Sequence, residues 1–324
     1  MLLSGNWLAI LITTLIAFGL PALLHVLLYR SSPAALSNDF LLLGPSGSGK
    51  TAFCSLVRNA SADSRCSFSA TMLTLCLLNR QVEGKSTASP KPARETHTSQ
   101  SSTYFSATLP PEIKTKSNRY RSVNDPSLSD TSKNPVRYRI RDTPGHGKLR
   151  GAQGMAQLSA MCDVKKPKTN ARGIIYMLDA ATLSETEFLA DAAAYLYDVL
   201  LHLQHRAATS SKLPNIPVLV AANKTDLFTA LPADTVKEKL ETEIERHRDS
   251  KRRGLLNASA NAAADDDEPD VLGGDGGQGQ FSFKAFEEDT NVIVDVIGGS
   301  VKTDVEASPA AGVQGWEEWI ASCL

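Results

Sequence analysis

Asp39-Phe-Leu-Leu-Leu-Gly44-Pro-Ser-Gly-Ser-Gly-Lys50-Thr51 passes from a short apolar run into a glycine-rich loop, and helix-compatible residues continue from Gly49 to about Asn59. An apolar run closed by glycine reads as a buried parallel strand, so the order is strand, loop, helix. The loop satisfies G-x-x-x-x-G-K-[ST], in which glycine permits a tight turn whose backbone N–H groups point at phosphate oxygens. Gly44, Ser46, Gly47, Ser48, Gly49 and Ala52 are expected around the phosphates, with Lys50 reaching the β- and γ-phosphates. The Thr51 hydroxyl would ligate Mg²⁺, and the helix that begins here offers its positive end to the anion. A glycine-rich turn without a ligand is the plainer reading, but background frequencies give the pattern by chance in only about 1% of chains this long.

Outward from this unit, strands are predicted at Val136–Arg141, Gly173–Leu178, Pro217–Ala222 and Asn291–Ile297. Helical periodicity covers Glu185–His205, Pro232–Arg253 and Val313–Leu324. The alternation predicts an α/β doubly wound sheet. Lys85–Lys133 is rich in Ser, Thr, Pro and charge, and Gly254–Gln280 holds the acidic run Asp265–Glu268 and a Gly-rich tract, so both read as mobile insertions. The basic cluster Arg246, Arg248, Lys251, Arg252 and Arg253 reads as the solvated end of a helix.

The 324 residues carry 34 basic and 35 acidic side chains, a formal charge of −1, which excludes a global polyanion-binding surface and gives no expectation of specific DNA binding. Five scattered cysteines form neither a disulfide scaffold nor a zinc-site spacing and read as reduced thiols. Trp7–Leu28 contains no Asp, Glu, Lys or Arg. At ~1.5 Å per residue those residues reach ~33 Å, enough to span a bilayer. Arg30 follows directly while residues 1–6 lack Lys and Arg, so charge bias puts the remainder in the cytosol. A cleaved signal peptide is the competing reading, opposed by the missing basic n-region and the length of the apolar run.

Two further motifs follow strands. Asn223-Lys224-Thr-Asp226 is an N-K-x-D sequence, in which Asp226 would accept hydrogen bonds from guanine N1–H and the N2 amine. Adenine has neither donor, so an unpaired carboxylate penalises ATP. Asp142-Thr-Pro-Gly145-His146 is a D-x-x-G sequence, whose carboxylate reaches Mg²⁺ through water and whose Gly145 N–H meets the γ-phosphate, so that hydrolysis would release the segment.

Together these residues resemble the beta subunits of signal recognition particle receptors, membrane-anchored G domains of the Arf/Sar-like branch of Ras-like GTPases. The resemblance includes the single N-terminal anchor, Asp142-Thr-Pro-Gly-His-Gly-Lys-Leu-Arg150 against that family's D-x-P-G-H-x-x-L-R, and Arg94-Glu-Thr-His-Thr98-Ser99 against its switch I. A long insertion before the last strand and a C-terminal Trp316-Glu-Glu-Trp319-Ile helix complete it. It implies a Ras-like P-loop G domain with a mostly parallel six-stranded sheet, helices on both faces and one transmembrane helix in front. Residues 1–6 are then a short lumenal N-terminus, 7–29 the transmembrane helix, 30–38 a linker, and 39–324 a cytosolic G domain with insertions at about 85–133 and 254–280.

The resemblance also implies GTP or GDP with Mg²⁺ as ligands, an endoplasmic reticulum location, and binding of the receptor alpha subunit's N-terminal domain through GTP-ordered switches, with delivery toward ribosome and translocon. Thr98 matches the switch I threonine that completes the Mg²⁺ shell, although Thr96 or Ser99 can take its place. Ser300-Val301-Lys302 resembles the S-A-K loop that supports guanine, with the Val301 N–H available to guanine O6. His146 stands where Ras-like proteins usually carry the water-orienting Gln. It can orient water, or it can be a packing or interface residue. Arg94 and Arg150 are weaker candidates for an arginine supplied in cis. The alternatives are an Arf/Sar-like vesicle-trafficking GTPase and a constitutively GTP-bound tether with little hydrolysis. A phosphate-loop kinase gives Asn223–Asp226 no role.

Overall fold

The computed structural model describes residues 15–19, 37–66, 99–110, 112–116, 136–165, 171–209, 214–259, 271–273, 279–302 and 312–324. The chain divides into two compact units, Met1–Leu36 and Ser37–Leu324. In the first, residues 15–19 are helical. The rest of the expected transmembrane segment at 7–29 lies outside the described residues, among which no helix is long and apolar enough to cross a membrane.

The second unit is built on six strands: β1 (Asp39–Leu43), β2 (Thr103–Thr108), β3 (Arg137–Asp142), β4 (Gly173–Asp179), β5 (Val218–Asn223) and β6 (Val294–Gly298). Their order is β2-β3-β1-β4-β5-β6, parallel throughout except for β2 against β3. Every residue of β1, β4 and β5 is buried, as strands covered on both faces require. Successive side chains of β1 separate the two layers. Phe40 and Leu42 enter a core with Phe53, Val57, Tyr138 and Trp316, whereas Leu41 and Leu43 enter one with Leu158, Tyr195, Leu196 and Leu200.

The first core is covered by α1 (Lys50–Cys66) and, at the other end of the chain, by the C-terminal helix. The second is covered by α2 (Ala156–Met161), α3 (Thr186–Thr209), α4 (Ala233–Ser259) and α5 (Phe283–Thr290). The C-terminal helix is α6 (Gln314–Cys323). Ahead of α2 the chain makes a short α-turn at Gly147–Leu149 and a π-helical turn at Arg150–Met155.

Three expectations are corrected. Residues 85–133 are not insertion throughout, because they supply β2, paired with β3 from Thr103↔Asp142 to Thr108↔Arg137. Within β2 only Ala107 is buried, so one face meets water, and the Arg141 guanidinium secures this edge by donating to the Tyr104 hydroxyl at 2.7 Å. Likewise α4 runs on to Ser259, and the 254–280 stretch returns to the fold at Val271 and Leu272, both buried. There the Leu272 N–H donates to Tyr197 Oη at 3.1 Å and the Gly273 N–H to Gln204 Oε1 at 2.8 Å. Finally, Arg248 is not part of a solvated face: it is 4% exposed, pairs with Glu245 at 2.8 Å and donates to the Gly279 carbonyl.

Candidate nucleotide-binding site

Loops leaving the carboxyl ends of β1, β3, β5 and β6 converge, the position at which parallel α/β sheets bind ligands. The β1 loop needs its glycines for defined reasons. Gly44 has φ +140° and a Cβ there would run into the Met177 carbonyl, while at Gly49 (φ +96°) it would run into the Asn223 amide. Gly47 also has positive φ, but a Cβ would meet nothing within 4 Å, so the loop is open on that side. Ser46 is exposed and Ala52 is half-buried.

Lys50 is folded into this loop. Its ammonium donates to the carbonyls of Gly44 (2.8 Å) and Pro45 (2.7 Å) and lies 3.3 Å from Ser48 Oγ. Burial lowers its pKa to about 8 against the opposing attraction of Asp142. Gly145 is packed on the same loop, since a Cβ there would stand 2.5 Å from Lys50 Nζ and 2.7 Å from the Gly44 oxygen. The segment after β3 therefore closes on the phosphate loop and on the Lys50 ammonium, with no room for a side chain at Gly145.

Asp142 lies at the end of β3 and is fully buried. Its Oδ2 accepts from Thr51 Oγ1 at 2.8 Å and from Ser99 Oγ at 2.9 Å, and the two hydroxyl oxygens are 2.8 Å apart. Its Oδ1 is buried with no hydrogen-bond partner among the described residues. Burial raises the carboxyl pKa, opposed by the two hydroxyls and by Lys50. A carboxylate with an orphaned oxygen beside two hydroxyls is a hard oxygen donor set that fits Mg²⁺. Thr98 lies outside the described residues; the hydroxyl of its neighbour Ser99 stands against Thr51 and Asp142. Thr143 Oγ1 fixes the turn by donating to the Leu42 carbonyl at 2.7 Å.

Asn223, 2% exposed, joins three loops. Its amide donates to the Ser48 carbonyl at 2.8 Å, and its Oδ1 accepts from the backbone N–H groups of Lys224 (2.8 Å) and Val301 (3.1 Å). The Val301 N–H, expected to face guanine O6, is thus engaged by Asn223. Lys224 takes φ +65° and its ammonium pairs with Asp179 at 2.5 Å. Asp226 is exposed, and its Oδ1 accepts from Ser300 Oγ at 2.6 Å; the same hydroxyl lies 2.6 Å from the Lys302 carbonyl. The Asp226 carboxylate is thereby oriented with a second oxygen available to a base. These contacts join Ser48, Lys50, Thr51, Asp142, Gly145, Asn223, Asp226, Ser300 and Val301.

The candidates for catalysis do not converge there. His146 is exposed, and its Nδ1 accepts from the Lys148 N–H at 3.4 Å, capping the short turn that follows. Arg150 is bound to Asp191 instead of facing the phosphate loop, and Arg94 lies outside the described residues. Sequence reasoning passed over Asp179, although an acid closing the strand beside an N-K-x-D lysine is a readable signal.

The family model of the signal recognition particle receptor beta subunit matches residues 98–290. The signal recognition particle receptor subunit beta of Saccharomyces cerevisiae is 28% identical over 181 residues, 55% of this chain and 63% of that protein, so the match spans less than two thirds of the relative's length. Among solved structures, the SRb-GTP/SRX complex from Chaetomium thermophilum is similar with a TM-score of 0.60 at 30% identity, over 87% of this chain and 98% of that one. The SRb-GDP-Mg structure from the same organism gives 0.52 at 28% identity, over 90% and 99%.

Proposed function

Because the chain belongs to the signal recognition particle receptor beta subunit family, we propose that it is the GTP-binding, membrane-anchored subunit that recruits the receptor alpha subunit to the endoplasmic reticulum for co-translational protein targeting. The observation that carries this reading is the Asn223 side chain, which ties the phosphate loop to the loop after β6 and so builds phosphate and base subsites as one body. GTP binding is further supported by the two similar Chaetomium structures, one of SRb with GTP and one of SRb with GDP and Mg.

Bound Mg²⁺ would supply positive charge that offsets the charge of the phosphates. Thr51 and Ser99 would hold it through their hydroxyls and Asp142 through water. Lys50 would exchange the loop carbonyls for phosphate oxygens, and its partial desolvation makes that exchange favourable, because a buried ammonium gains more from a full negative charge than from dipoles. The Gly145 N–H would then meet the γ-phosphate, a group GDP lacks, so the segments around Ser99 and Gly145 form their closed surface mainly in the GTP state.

A partner that selects this surface prefers the GTP form, and typical couplings correspond to about 5–150-fold. Full-length protein in detergent micelles, loaded with GTP and Mg²⁺, is expected to bind the alpha subunit's N-terminal domain, with GDP-loaded protein and Lys50→Ala weaker by a factor in that range. Equal affinities of the GTP and GDP forms would defeat the nucleotide-switched reading.

The anchor is residues 7–29, with residues 1–6 lumenal. Protease added outside sealed microsomes should digest the G domain and leave a small protected fragment containing Trp7–Leu28. A full-length chain surviving intact would reverse the orientation.

A second reading, a tether that keeps its GTP and hydrolyses it slowly, is favoured by the His146 ring, which caps its own turn. Without an arginine, turnover in Ras-like sites can be as slow as about 10⁻⁴–10⁻³ s⁻¹. Single-turnover hydrolysis with and without the alpha subunit domain separates switch from tether.

A further inference from the structure

Away from the phosphate loop, the segment that follows Asp142-Thr-Pro-Gly145 rests on α3 by contacts that nucleotide binding does not require. Arg150 forms a two-pronged pair with Asp191, Nη2 to Oδ1 at 2.7 Å and Nη1 to Oδ2 at 2.9 Å, and its guanidinium stacks 5.1 Å over the Tyr195 ring. The Asp191 side chain is about half exposed, whereas Tyr195 is 2% exposed. Tyr195 in turn packs edge-on to Tyr176, whose hydroxyl donates to the Ala192 carbonyl and binds α3 to β4.

Two features show that this seat is built for the segment. Arg150–Met155 is a π-helical turn, a geometry that costs helix stability and that recurs at functional sites. Within it Gly154 lies against the Tyr195 hydroxyl, where a Cβ would stand 2.5 Å from the oxygen. That hydroxyl has no hydrogen-bond partner among the described residues, so it is covered by the turn's backbone at the cost of its own hydrogen bond. From the same turn, Gln153 Nε2 donates to the Gln100 carbonyl at 3.1 Å, and the preceding residue is Ser99, bound to Asp142. Contacts therefore run without a break from an exposed carboxylate on α3 to the metal-facing group of the site.

We propose that Asp191 and Tyr195 form a seat, with Arg150 as its clasp, that positions the segment 147–155 and through it Gln100 and Ser99, so that the exposed α3 surface around Asp191 is coupled to retention of GTP. Asp191 and Arg150 act as positioning residues; they bond to each other and not to the phosphate or base loops. The inference rests on the GTP-binding reading above. Losing the clasp leaves the Ser99 segment held by fewer contacts, and GTP, whose closed state depends on that segment, escapes faster than GDP, whose binding depends on it less.

The test is a double-mutant cycle on the full-length protein in detergent micelles, using Asp191→Ala, Arg150→Ala and the double variant, with release of fluorescent N-methylanthraniloyl-GTP and -GDP measured in Mg²⁺. Each single variant should speed GTP release about three- to tenfold, a range typical of couplings carried by residues that do not touch the ligand. GDP release should change less than GTP release, and the double variant should be no faster than the faster single. The swap Arg150→Asp with Asp191→Arg should recover at least part of the loss. Hydrogen exchange over residues 147–161, read with and without nucleotide, should rise in both single variants. Unchanged release and exchange, or equal acceleration of GTP and GDP, would overturn the coupling while leaving GTP binding intact. If the wild-type protein itself fails to bind the GTP probe, the functional reading falls, and exchange over 147–161 still reports whether the clasp holds the segment.

Discussion

Replacing Asp226 by Asn should turn a guanine site into a xanthine site. The carboxylate uses one oxygen to accept from Ser300 Oγ at 2.6 Å, and an amide oxygen can keep that bond, so the loop after β6 stays in position. What changes is the group offered to the base: an NH₂ donor now faces the guanine amine, whereas xanthine presents a carbonyl at the same place. Two hydrogen bonds to a charged acceptor, at about 1.5–3 kcal/mol each, correspond to roughly 10²- to 10⁴-fold in affinity. Competition between GTP and xanthosine triphosphate for the purified variant measures it. Unaltered rejection of xanthosine triphosphate would remove Asp226 from base recognition.

The second large effect is on stability. Trp316 is fully buried on α6, its ring meets Phe53 edge-on at 5.5 Å, and its indole N–H donates to the Ile297 carbonyl at 3.0 Å. It also lies directly under Gly299, where a Cβ would come within 2.7 Å of the indole. Trp316→Ala removes the ring, leaves a cavity between α1, α6 and β6, and strands the Ile297 carbonyl, a combination worth about 3–5 kcal/mol. Against a total stability of about 5–15 kcal/mol this is a large fraction. For a domain of this size the melting temperature should fall by roughly 6–20 °C in thermal unfolding followed by circular dichroism. Nucleotide affinity should fall as well, because Ser300 and Val301 lose their floor. A melting temperature within about two degrees of wild type would mean that α6 is not part of the cooperative core.

What could be read from the sequence follows the physics of each element. The buried parallel strands announce themselves as apolar runs, and four of the five predicted strands agree with the structure to within one residue at each end. The fifth, Asn291–Ile297, starts three residues early, because Val292 is buried without belonging to β6. The phosphate loop is legible because backbone geometry dictates its glycines. β2 was hidden because an edge strand with one face in water, TYFSAT, has the composition of the polar stretch around it. α5 was missed for want of length, its eight residues offering only two turns of periodicity. Arg248 was misread because its direction is set by Glu245 and by Gly279, a residue 31 positions away. Thr98 lies outside the described residues, and only the meeting of β3, α1 and the segment before β2 brings the hydroxyl of its neighbour Ser99 to Asp142.

The sheet order has a consequence for how the chain is made. β1 is the central strand, yet its neighbours are distant in sequence: Phe40 pairs opposite Ile140 on one side and Gly173 on the other. At a synthesis rate of about 5–20 residues per second, β1 emerges roughly 5–20 s before β3 can pair with it. Throughout that interval Phe-Leu-Leu-Leu has two unsatisfied edges and no cover on either face, the profile of a segment that sticks to other nascent chains. Slowing translation between residues 43 and 137 would therefore lower the yield of folded protein more than the same pause placed after β4, where the central strands are already paired.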